Sequence, residues 1–135
     1  MRKSTFSIAS HLYNRLSGLD VLREITGGLY KDSRPMNSDK EDIVVSAEGQ
    51  ITESGGIAKA KVMIFTSPVI SDRGDAVEMV PDYKRLEYLS GRVYDGIDEV
   101  FSGGCLTWID SQTFSQQGDM FCCVLEVAVS VRGAV

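Results

Sequence analysis

The chain has 135 residues, 43% hydrophobic and 24% charged, with 19 acidic against 14 basic side chains and a net charge of −5. That size and balance fit a single domain over 1–135 and exclude disordered and fibrous classes. No apolar run nears the roughly 20 residues that cross a bilayer, so no membrane association is expected. An acidic chain without a basic stripe is a poor grip for nucleic acid.

The chain opens on a predicted helix. Ser4 or Thr5 can cap it, Ile8, Leu12, Leu16 and Leu19 recur at near-helical spacing, and Gly18 offers a stop or a bend. The start MRKSTFSIASHLYNRL is amphipathic and unlike the apolar stretch of a signal peptide. LDVLREI adds a turn or two before Gly27-Gly28. LYK then begins an extended segment that runs into the loop KDSRPMNSDKED. Asp39, Glu41 and Asp42 in this loop fail the calcium-loop spacing and read as a solvated acidic stretch.

DIVVSAE reads as a strand, followed by the turn-rich QITESGG and the alternating strand IAKAKVMIFTS. Ala58, Ala60, Val62 and Ile64 share one face of that strand; Lys59, Lys61, Met63 and Phe65 share the other. Residues 67–81, SPVISDRGDAVEMVP, read as a long connection, unusually apolar through Val69, Ile70, Val77, Met79 and Val80. Contiguous exposed apolar groups mark contact sites, so these five residues are the candidate interface.

A second helix is predicted from Asp82 as N-cap to Ile97. Its buried side carries Tyr83, Leu86, Leu89, Ser90, Val93, Tyr94 and Ile97, and its wet side Lys84, Arg85, Glu87 and Asp95. The strands CLTWIDSQTF and MFCCVLEVAVSVR close the chain around the turn SQQGD. In the last strand Phe121, Cys123, Leu125, Val127, Val129 and Val131 fall on one face. Trp108 reads as a core or sheet-face residue. The expected fold is α+β: a mainly antiparallel sheet of four or five strands packed against two helices, in the order α-β-β-(β)-α-β-β.

No catalytic constellation stands out. The paired glycines match no phosphate-cradling pattern, and the lone histidine, His11, has no nucleophile elbow to serve. Cys105, Cys122 and Cys123 are odd in number, and two are adjacent. They read as free core thiols of a protein made in a reducing cytoplasm, with Cys123 packed beside Phe121 and Leu125. No zinc spacing exists. The chain is therefore expected to be no enzyme, with no metal and no cofactor.

The element order is similar to that of the tail-terminator (tail-completion, head–tail joining) proteins of long-tailed bacteriophages and prophages. The resemblance runs through GGLYKDSRP, EDIVVS, GIAKAKVMIFTS, the helix before YDGID, and the closing VLEVAVSVR. It spans nearly the whole chain and departs from the commoner pattern in the acidic 38–42 segment and the apolar 67–81 stretch. It implies a hexameric ring that caps the tail tube, with the tail-tube protein and the head connector as partners. The ring is assembled in the host cytoplasm and carried in the tail or neck of the virion. Residues 71–99 hold eight acids against four bases, and Asp72, Asp75 and Glu78 would line a channel that lets DNA slide through without specific binding. The alternatives are another neck or minor tail component, or a small-ligand-binding or regulatory domain without catalysis.

Overall fold

The computed structural model describes residues 5–48, 57–74, 76–102 and 104–131. Helix α1 spans Thr5–Ser17, a short 3-10 helix spans Asp20–Arg23, and helix α2 spans Tyr83–Ile97. The strands are β1 Leu29–Lys31, β2 Ile43–Glu48, β3 Ile57–Thr66, β4 Val69–Arg73, β5 Ala76–Val80, β6 Val100–Ser102, β7 Cys105–Gln117 and β8 Met120–Val131.

Six strands form one curled, mixed sheet in the order β1-β2-β3-β8-β7-β6, and β4 and β5 form a separate two-stranded ribbon. Strand residues outnumber helical ones, so the fold is mostly β. This overturns the expected α+β sheet of four or five mainly antiparallel strands in the order α-β-β-(β)-α-β-β. Three causes account for the difference. β1 and β6 are three residues each, too short to display a period. The apolar 67–81 connection is itself a hairpin. β1 runs parallel to β2 (Leu29↔Ile43, Lys31↔Val45), a pairing joined by an irregular loop rather than the usual helix.

The long pairings follow the hydrophobic alternation. Ala58, Ala60, Val62 and Ile64 of β3 and Leu125, Val127 and Val129 of β8 face one core, where α1 lays Ile8, Leu12 and Leu16 and α2 lays Leu89, Val93 and Ile97. Side chains of opposite parity make a smaller core on the other sheet face: Val44, Phe65, Cys122 and Val124, closed by Met120. The β7–β8 hairpin turns through Gly118-Asp119, with Gly118 at φ 59° where a side chain would be strained. Midway, the register slips between Ile109 and Ser111, leaving Asp110 as an extra residue that bends β7 and adds to the curl. Asp110 accepts from the Trp108 indole at 2.9 Å and from Lys59, and these hydrogen bonds, Lys59's first, hold its carboxyl below the ordinary carboxylate range.

Candidate assembly interface

The five apolar residues expected at an interface lie on the β4–β5 ribbon. Val69 pairs with Val80 at its base, Ile70 with Met79, and Asp72 with Val77. Cross-strand partners share a face and alternate residues share it again, so Ile70, Met79 and Val77 stand together on one side. They are 70%, 58% and 68% exposed, whereas Val69 is 42% exposed and Val80 is half-buried. Of the expected channel acids, Glu78 is exposed opposite Ser71, on the other face from Ile70. Asp72 lies on β4, and Asp75 lies outside the described residues. A lone two-stranded ribbon is marginal in water, and among the described residues each strand here keeps an unpaired outer edge.

The ribbon is anchored where several segments meet. Before β4, the Ser67 hydroxyl donates to the Asp39 carbonyl. After β5, Asp82 caps α2 by accepting from the Arg85 amide at 3.2 Å. The Arg85 side chain then forks onto Glu41, with Nε to Oε2 at 2.6 Å and Nη2 to Oε1 at 2.9 Å, and also donates to the Glu24 carbonyl. The hydrogen bonds to Glu41 raise the Arg85 pKa further, outweighing partial burial.

The neighbouring Asp42 is 1% exposed and accepts from Gly28 N at 3.1 Å, Arg34 Nε at 2.9 Å and Ser38 Oγ at 2.6 Å. Arg34 also stacks on Phe65, 4.2 Å from its centroid, and so covers the smaller core. Only Gly27 fits beside this cluster, because a Cβ there would sit 1.9 Å from Asp42 Oδ1 and 2.4 Å from the Glu41 carbonyl. The acidic stretch is therefore not solvated as expected. Asp39 is exposed, but Glu41 and Asp42 are buried because each meets an arginine.

A groove of about 390 Å³ runs between α2 and the β7–β8 hairpin, past Tyr83, Leu86, Ser90, Phe114 and Cys123. Its rim is an aromatic row. Tyr83 and Phe114 lie 6.1 Å apart, and Phe114 stacks on Phe121 at 5.7 Å. Tyr83 was expected on the buried stripe of α2. It is 67% exposed, because the first turn faces Phe114 across an open gap rather than the sheet core. Ser90 is 7% exposed, and its hydroxyl has no hydrogen-bond partner among the described residues.

Cys105, Cys122 and Cys123 are all unpaired. Cys123, expected in the core, is half-buried: it packs against the edge of the main core and lines the groove, while Cys122 is enclosed in the smaller core, where burial first of all pushes its thiol pKa up. Sequence reasoning did not single out the groove, since its walls come from residues distant in the chain. His11 is half-buried on the flank of α1, in a shallow hollow beside Asn14 and Arg15. Among the described residues no helix is long and apolar enough to cross a membrane.

No family model and no curated protein matches this chain. Among solved structures, it is similar to a chain from the virion of a native gene transfer agent (GTA) particle. The match covers 98% of this chain and 100% of the other at a TM-score of 0.60 and 16% sequence identity. A likeness at that identity is one of fold, and it runs the full length of both chains.

Proposed function

We propose that this chain is a structural protein of a phage-type virion and, more finely, a tail terminator that closes the end of the tail tube as a ring. The observation that carries the reading is the full-length fold likeness to a chain of a gene transfer agent virion. The exposed apolar face of the ribbon supports it, since a protein that works by contact needs such a surface. On this reading the chain is no enzyme and needs no metal or cofactor. It assembles in the host cytoplasm, six copies to a ring by the family resemblance, and meets the tail-tube protein on one side and the head connector on the other. Its acidic surface leaves DNA free to pass.

The test is to delete the gene from the genome that encodes it and view the particles by electron microscopy. Tubes of uncontrolled length beside unattached full heads, restored by a plasmid copy, are the expected result. Tubes of normal length beside detached heads would point to another neck component. Intact, infectious particles would overturn the virion role and favour a ligand-binding or regulatory domain.

A further inference from the structure

The ribbon's hold on the rest of the molecule runs through its two stems. Among the described residues β4 and β5 pack chiefly on one another, so the main sheet and the helices give the ribbon little side support. The stem before β4, Ser67-Pro68, leaves the end of β3. There Phe65 N donates to the Asp42 carbonyl at 2.8 Å and the Ser67 hydroxyl to the Asp39 carbonyl. The stem after β5, Pro81-Asp82, enters α2, whose Arg85 forks onto Glu41. Both stems thus meet one short segment, 39–42. That segment is fixed from behind: Glu41 N donates to Thr26 Oγ1 at 2.9 Å, Gly27 N donates to the Glu41 carbonyl at 2.8 Å, and the Asp42 carboxylate is held by Gly28 N, Arg34 and Ser38.

Arg85 does not stand where helix stability would put it. With Lys84 it occupies the first turn of α2, where no acid stands, and the positive end of the helix dipole repels a cation there. A residue that breaks a local rule points to a partner elsewhere, and the partner here is Glu41, 44 residues away with its side chain only 11% exposed.

We propose that the Arg85–Glu41 ion pair is a latch that sets the angle of the β4–β5 ribbon against the body. With the pair closed the ribbon is held at one angle; with it open the ribbon swings about its stems, the few element-terminal residues that serve as hinges. Arg85 is a positioning residue that acts through the stem. The latch belongs to the single chain and operates whatever the ribbon meets, so it does not depend on the ring-forming reading.

Pulsed electron spin resonance reads the angle. Spin labels would be placed at Val77→Cys in the ribbon and Asp95→Cys towards the far end of α2, both exposed sites. The full chain would carry Cys123→Ala, since Cys105 and Cys122 are fully buried and escape labelling. A second pair, Asp95→Cys with Gln116→Cys on β7, reports on the body alone. The parent should give one narrow distance from residue 77 to residue 95. Arg85→Gln should broaden that distance and add a second maximum while the body pair stays unchanged. Arg85→Lys keeps the charge but not the fork and should fall between the two.

A narrow, unshifted distance in Arg85→Gln would overturn the latch, and so would a parent distance that is already broad. Broadening of both pairs together would mark a general loosening of the fold and would overturn it as well. Should Arg85→Gln fail to fold, Glu41→Gln decides. It keeps an acceptor for Thr26 N and removes the charge that strengthens the hydrogen bonds from Arg85. Broadening confined to the ribbon pair is then expected, and an unchanged distance refutes the latch.

Discussion

Replacing Asp42 with alanine tests whether the acidic stretch is a structural clamp. The substitution removes the acceptor of Gly28 N, Arg34 Nε and Ser38 Oγ at a site 1% exposed. The Arg34 side chain is only 15% exposed, so its charge stays partly buried and loses its counterion. Deleting one member of a buried pair costs about 3–5 kcal/mol. Arg34 keeps the Ser38 carbonyl at 2.6 Å, the Lys40 carbonyl at 3.2 Å and the Phe65 ring, which places the loss at the lower end, about 3 kcal/mol.

Against a total stability of about 5–15 kcal/mol that is a large share, and the melting temperature should fall by roughly 10 °C. Asp42→Asn keeps an acceptor of the same shape and should lose less. Asp39→Ala, at an exposed site, should stay within about 0.5 kcal/mol of the parent. Urea unfolding followed by circular dichroism gives these differences as shifted midpoints at constant slope. A loss below about 1 kcal/mol for Asp42→Ala would refute the reasoning and return the segment to the status of solvated surface.

Other outcomes follow from the same geometry. Ile70→Asp combined with Met79→Asp should abolish self-association while the monomer melts as before, since both side chains are exposed; light scattering and a thermal scan read the two effects apart. Brief treatment with iodoacetamide should label Cys123 ahead of Cys105 and Cys122, and faster labelling of Cys122 in the mass spectrum would contradict its enclosure and raised pKa. The Asp110 carboxyl titrates lower in the fold than in the unfolded chain. Its stabilisation is therefore present above the unfolded pKa and is lost as pH falls through the lowered folded value. Acid unfolding of Asp110→Asn should lack that component, and an unchanged acid limb would deny Asp110 the role.

The parts of the fold governed by local pattern were legible in the sequence. Asp82 caps α2, Ile8, Leu12 and Leu16 are fully buried on α1, and the alternation along β3 and β8 sorts inward from outward residues. What escaped depends on partners far along the chain. Glu41 is buried because Arg85, 44 residues on, reaches it, and no reading of spacing around residue 41 contains that arginine. The ribbon escaped because Val77 on one face and Glu78 on the other are both exposed, so burial imposes no period along β5. The apolar character of 67–81 was plain from its composition, and the structure leaves Ile70, Val77 and Met79 exposed. Their arrangement on one face was not plain, since it follows from the register Ile70↔Met79.

The place of β8 in the sheet has a consequence for how the molecule comes into being. It lies between β3 and β7, yet it comes last of the described strands, and its pairing with β3 joins Ile57 to Ser130. Contacts of such long sequence separation form late and slowly, after most loop entropy has been lost. As the chain leaves the ribosome, β1–β3 and the ribbon precede the strand that completes the sheet. The groove needs that strand too, since Cys123 of β8 forms part of its wall. A nascent chain thus exposes its apolar ribbon before the sheet that carries it is complete.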